Sequence, residues 1–140
     1  MTRDQVTRIF VYGTLRRDPT HEMFHLLAKH ARFAGQAAVA GRLFDLGAYP
    51  GMIAPDDTGV VVGELYEFDE AAWSSVIARL DEYEGCSSND PEPHEYRREI
   101  VTARLADGSM LPAWAYVLNQ RPAQVREIES GDYPAWRTGT

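Results

Sequence analysis

The sequence has one cysteine, Cys86, no cluster of lysines or arginines, and no apolar run approaching the length that spans a membrane. A lone cysteine excludes an internal disulfide framework and a zinc site built on several thiolates, and it suits a reducing compartment. With 14 basic against 21 acidic residues the formal charge is -7. That sign argues against a nucleic-acid partner and against a surface made for anionic lipid. The first residues, Met1-Thr2-Arg3-Asp4-Gln5, lack the apolar core of a signal peptide, so a cytoplasmic protein is expected. Repeats and linkers are also missing, and 140 residues, 44% hydrophobic and 25% charged, predict one globular domain over residues 1–140.

What is present begins with Ile9-Phe10-Val11-Tyr12, a β-branched and aromatic run without polar alternation, as in a short strand buried on both faces. Gly13 ends it. Glycine allows close approach of a ligand or another backbone, so the amides of Gly13, Thr14 and Leu15 can converge into a nest for a carboxylate or oxyanion. The same residues also read as a plain strand-ending turn.

Thr20 is a candidate N-cap for a helix through His30, with Met23, Phe24, Leu26 and Leu27 on its apolar face. Residues from Ala31 to Leu46 read as two strands or one strand bent at Gly41. Gly47-Ala48-Tyr49-Pro50-Gly51 reads as a loop and Pro55-Asp56-Asp57-Thr58-Gly59 as a turn. Val60 to Phe68 is predicted as a strand, and Asp69 as the cap of a helix through Trp73, Val76, Ile77, Leu80 and Tyr83 to Glu84, stopped by Gly85. Tyr96 to Leu105 and Met110 to Leu118 form a predicted hairpin turning at Asp107-Gly108, with Pro112 favouring an edge position. A short helix is predicted around Ala123 to Ile128. Five to seven strands with two main helices give an α+β domain on a curled, mostly antiparallel sheet.

Three carboxylates sit at the end of the second helix, in Leu80-Asp81-Glu82-Tyr83-Glu84-Gly85. At about 100° per residue from Trp73, Glu84 lands roughly 20° away, Asp81 about 80° and Glu82 about 180°. Glu84 therefore points along the apolar stripe and Glu82 to solvent. An inward carboxylate near the negative end of a helix is costly to ionise, which raises its pKa towards that of a neutral-pH acid/base. If the last turn frays, Glu84 turns to solvent instead.

Tyr12-Gly13-Thr14-Leu15, the stretch from Gly41 to Pro50, Gly63-Glu64-Leu65-Tyr66, Leu80 to Gly85, Tyr96-Arg97-Arg98 and Trp114-Ala115-Tyr116 follow one another as in the gamma-glutamylcyclotransferase-like family, which the chain resembles over nearly its whole length. The resemblance implies an α+β fold, a small mixed, mostly antiparallel β-barrel with packed α-helices. It implies Glu84 as general acid/base, the loop Tyr12, Gly13, Thr14 and Leu15 as the glutamyl-binding cradle, and Tyr96 and Tyr116 as pocket residues. The implied reaction closes a small γ-glutamyl amine or γ-glutamyl-amino-acid conjugate on itself, releasing 5-oxoproline and an amine. No metal or organic cofactor is required, and a small-molecule γ-glutamyl substrate is the expected partner of a monomer or homodimer.

Two other readings compete with this one. A non-catalytic small-ligand binding module can occupy the same scaffold, since fold does not dictate function. His21-Glu22-Met23-Phe24-His25 matches the zinc peptidase pattern H-E-x-x-H, but the glycine and third histidine of the extended motif are missing and a solvated helix face explains it better. Cys86 reads as a structural or surface thiol and His94 as a loop histidine.

Overall fold

The computed structural model describes residues 6–12, 29–46, 50–87 and 90–132. Their elements in chain order are β1 (Arg8–Val11), β2 (Ala31–Ala40), β3 (Arg42–Asp45), β4 (Pro50–Ile53), β5 (Val60–Phe68), α1 (Glu70–Glu84), β6 (Tyr96–Leu105), β7 (Met110–Leu118) and β8 (Arg126–Glu127). Five strands close into a barrel in the order β1-β5-β2-β6-β7. All its pairs are antiparallel except β1 with β7, which run parallel with Ile9 opposite Trp114. Strands β4-β3-β8 make a separate antiparallel sheet. The fold is thus the mixed, mostly antiparallel barrel expected.

Period-two alternation sorts the barrel residues into two cores. Phe10 of β1, Val61 and Leu65 of β5, Val101 and Ala103 of β6, and Ala113, Ala115 and Val117 of β7 share one cluster. Their neighbours Ile9, Val11, Tyr66, Phe68, Tyr96, Tyr116 and Leu118 pack with Val76, Ile77 and Leu80 of α1 in the other. A helix cannot fit inside so narrow a barrel, so the second cluster lies on its outer wall and the first fills the interior. The small alanines of β7 are what a five-stranded interior has room for.

Gly63 lets β1 approach β5 closely: a Cβ there would collide with the Val11 carbonyl oxygen and stand 2.7 Å from Phe10 Cζ. Arg42 of β3 and Glu127 of β8 form a two-pronged ion pair across the smaller sheet. No helix among the described residues is long and apolar enough to cross a membrane.

Three local expectations change. Pro50-Gly51 is not loop but the start of β4, where Pro50 pairs with Asp45 and Gly51 with Phe44. The expected helix around Ala123 to Ile128 is absent: Arg126 and Glu127 pair with Asp45 and Phe44 instead, and Ile128 is fully buried. Strand pairing and burial of Ile128 outweigh weak local helix propensity there. Pro112 lies in a strand that closes the barrel rather than at an open sheet edge, although β7 pairs with β1 at Trp114 and not at Pro112. Its carbonyl accepts from the Arg8 guanidinium at 3.1 Å, so its missing N–H faces a side chain and costs no ladder bond. Of the two readings at Gly41, the structure has two strands, in different sheets. Of the helix expected to His30, only Lys29 and His30 are among the described residues, and both are helical.

Candidate functional site

Helix α1 follows Asp69, whose extended backbone is that of an N-cap but whose side chain makes no capping bond. The helix buries Val76, Ile77 and Leu80 on the barrel wall. Gly85 ends it in the left-handed conformation, φ 74°. The Gly85 amide then donates to Glu82 O at 3.1 Å and the Cys86 amide to Asp81 O at 2.9 Å, the paired closure that glycine makes possible at a helix end. The last turn is therefore held, and Glu84 stays partly buried while Glu82 is exposed. Tyr83, expected on the apolar face, is 46% exposed. It stands about 80° from the stripe, on the flank away from Asp81 and off the barrel wall.

Asp81 is the most connected carboxylate of the three. Its Oδ1 accepts from Arg98 Nε at 2.9 Å and from the Tyr116 hydroxyl at 2.7 Å, and its Oδ2 accepts from Arg98 Nη2 at 3.3 Å. The β6–β7 register builds this cluster, because Arg98 is the direct partner of Tyr116 across the hairpin. The Arg98 guanidinium also stacks 4.4 Å from the Trp114 ring centre, a position that suits its planar cation.

A second set of tyrosine bonds ties the barrel to the smaller sheet. The Tyr12 hydroxyl donates to Tyr116 O at 2.6 Å and accepts from the Met52 amide at 3.2 Å. The Tyr96 hydroxyl donates to Pro50 O at 2.7 Å. All three tyrosines are buried. Burial raises the Tyr12 and Tyr116 phenols far above their ordinary range, with Glu84 next in effect on Tyr12 and Asp81 next on Tyr116. Both stay protonated as donors.

Burial is also the main reason the Glu84 carboxyl is raised to about 7, followed by the negative charges of Asp81 and Glu95. Near neutral pH this group can both accept and return a proton. Burial, then Asp81 and Glu84, pushes the Cys86 thiol up to about 12, so it is not a ready thiolate nucleophile. A cavity of about 960 Å³ has a lining that includes Leu46, His94, Glu95, Leu118, Asn119 and Arg121 and contains none of Tyr12, Asp81, Glu84, Tyr96 or Tyr116. Glu95 links this cavity to Glu84 and Tyr12, because its charge acts on both.

The structure therefore places Tyr12, Glu84 and Tyr116 in one electrostatic neighbourhood, with Tyr96 one strand pair from Tyr116. Gly13, Thr14 and Leu15 lie outside the described residues, as do His21, Glu22 and His25. Sequence reasoning missed Asp81, Arg98 and Glu95 as parts of this neighbourhood. It also missed Glu64, a buried carboxylate that accepts from the Tyr66 hydroxyl at 3.0 Å. A glutamate at an apolar alternation position, Glu64 between Val62 and Tyr66, was the available signal.

Comparison with known proteins agrees with this architecture. The family described as gamma-glutamyl cyclotransferase, AIG2-like matches residues 9–135. The gamma-glutamylcyclotransferase family protein YtfP of Escherichia coli is 33% identical over 128 residues, 90% of this chain and 95% of that protein. Its solution structure superposes with a TM-score of 0.60 at 32% identity, over 94% of this chain and 99% of that one. The crystal structure of an AIG2-like protein from Mus musculus gives a TM-score of 0.69 at 26% identity, covering 90% of this chain and 88% of that one. A barrel of this order, a helix laid on its wall and a match over residues 9–135 lead to one conclusion: the chain belongs to the gamma-glutamyl cyclotransferase, AIG2-like family and is a cyclotransferase-like enzyme.

Proposed function

We propose that the enzyme cyclises a small γ-glutamyl amine or γ-glutamyl-amino-acid conjugate to 5-oxoproline and a free amine, with Glu84 as general acid/base. The observation that carries this reading is Glu84 itself, held inward by the closed helix end and raised to about 7. An ordinary carboxylate is a poor base for an α-ammonium group. Raising Glu84 from 4.5 to about 7 brings it near the ordinary α-amino value and removes about 3 kcal/mol from the cost of that proton transfer.

The proposed steps balance within one molecule. The Glu84 carboxylate accepts a proton from the substrate α-ammonium, and the freed nitrogen attacks the γ-carbonyl carbon. The new C–N bond closes a five-membered ring. The Glu84 carboxylic acid gives that proton to the nitrogen of the old C–N bond, takes a second proton from the ring nitrogen, and as the old bond breaks passes it to the departing amine, which leaves as an ammonium. Nucleophile and electrophile share one chain, so the pocket mainly holds the substrate in attack geometry. Tyr12, Gly13, Thr14 and Leu15 are assigned the glutamyl end, Tyr96 and Tyr116 the wall, and the cavity beside Glu95 the departing amine.

The test is 5-oxoproline release from a panel of γ-glutamyl compounds by wild type and Glu84→Gln. Loss of about 10²-fold or more in turnover is expected for Glu84→Gln. Equal turnover by both proteins would remove Glu84 from its role, and no turnover of any panel member by wild type would overturn the substrate class.

A further inference from the structure

The cluster of Asp81, Arg98 and Tyr116 is not used by the reaction steps above, yet it forms a connected polar network on the helix-covered wall. Asp81 sits three residues before Glu84 on α1, one turn away. Its carboxylate is held at four points: two from Arg98, one from the Tyr116 hydroxyl and one from the Cys86 thiol, whose Sγ lies 3.9 Å from Oδ1. Arg98 is itself restrained, by its stacking on Trp114 and by its place in the β6–β7 ladder. Here one oxygen is shared between the guanidinium and a phenol whose own backbone carbonyl holds the Tyr12 hydroxyl. The chain of contacts runs from β6 through the helix to β7 and on to the end of β1.

We propose that Asp81 is a positioning residue for Glu84: clamped by Arg98, it anchors the Tyr116 hydroxyl and fixes a negative charge one helical turn from the Glu84 carboxyl. This rests on the reading of Glu84 as the acid/base. The charge keeps Glu84 protonated to higher pH than burial alone would, and the Arg98 cation paired with Asp81 at 2.9 Å is expected to offset part of it. Other groups act on the same space. Glu95, from the segment leading into β6, adds negative charge to Glu84. Tyr12 at the end of β1, Tyr116 on β7 and Cys86 after the helix face it in their neutral forms. Arg98 is the cation that faces Asp81.

Opposite charge changes make the proposal testable. Asp81→Asn keeps an oxygen for the Tyr116 hydroxyl but removes the negative charge, and Arg98→Met keeps an apolar stem over Trp114 but removes the positive one. The pH at half-maximal kcat/KM, on the limb that rises as Glu84 loses its proton, is expected to move down by about one unit in Asp81→Asn and up in Arg98→Met. Tyr116→Phe changes no charge and is expected to lower kcat without moving that limb. The same shifts are to be read by carbon-13 NMR titration of the Glu84 carboxyl in the ligand-free protein. That measurement needs no turnover: if wild type cyclises nothing, the function reading fails while the titration still decides the role of Asp81. A Glu84 titration that stays put in both charge variants, or moves the same way in both, overturns the proposal.

Discussion

The two faces of one barrel wall contrast sharply. Inside, Phe10, Val61, Leu65, Ala103, Ala113, Ala115 and Val117 are buried with side chains that offer no hydrogen bond. Outside, under α1, the alternating positions of the same strands carry Glu64, Tyr66, Tyr96, Arg98 and Tyr116 among apolar residues. Both faces exclude water. The interior uses that exclusion for stability alone, because apolar contacts have no protonation state to perturb. The outer wall uses it to alter proton affinity, which is what raises Glu84 to about 7. Burial is thus one physical cause with two results, decided by which side of the barrel wall a residue packs against.

Substitutions on the two faces are expected to separate these results. The largest loss should come from the interior: Leu65→Ala, at a fully buried position, is expected to cost about 3 kcal/mol in urea denaturation. It should leave the pH profile of the remaining folded enzyme in place. If the profile moves with it, the two faces are coupled and the contrast fails.

Next in size is a pH effect from the outer wall. Because the folded value of Glu84 lies above 4.5, the folded state binds its proton more tightly than the unfolded chain does. That stabilisation is full below about 4.5 and lost as pH rises through about 7. Glu84→Gln has no such dependence, so between pH 5 and pH 8 wild type is expected to lose about 2 kcal/mol relative to the variant. Parallel pH–stability curves would show that Glu84 is not held in a desolvated place.

Tyr116→Phe is expected to be smaller, about 1 kcal/mol, since Arg98 still satisfies Asp81 when the phenol bond is gone. Denaturation of the single variants and of the double variant with Asp81→Ala measures the coupling, and purely additive losses would show that the 2.7 Å bond contributes nothing. The smallest effect belongs to Glu82→Gln. That side chain is exposed on the same helix turn, and a change within about 0.5 kcal/mol with unchanged turnover is expected.

Much of this arrangement was legible before any coordinates. The bounds of β5, α1, β6 and β7 follow from local pattern: two-residue alternation, a capping aspartate, a stop glycine and an Asp-Gly turn. The preference for Glu84 over Glu82 followed from helix geometry and Gly85 marked the helix stop, but that the last turn is held rather than frayed came from the backbone bonds of Gly85 and Cys86. Strands β4 and β8 were not legible, because Pro50-Gly51 and Arg126-Glu127 have little strand preference and extend only because β3 lies between them. Asp81 was placed at the flank of the stripe, a position that says nothing about what stands opposite.

By itself, then, the sequence determined the strand and helix periods, which of the three carboxylates lies along the apolar stripe, and the family, since each depends on residues near one another in the chain or on motifs in order. The tertiary structure alone decided what surrounds that glutamate. Arg98 meets Asp81 across 17 residues and Tyr116 meets it across 35, joined through the register of a hairpin packed beneath a helix. A pKa depends on charge and dielectric in space, and those are set by barrel closure rather than by neighbours along the chain.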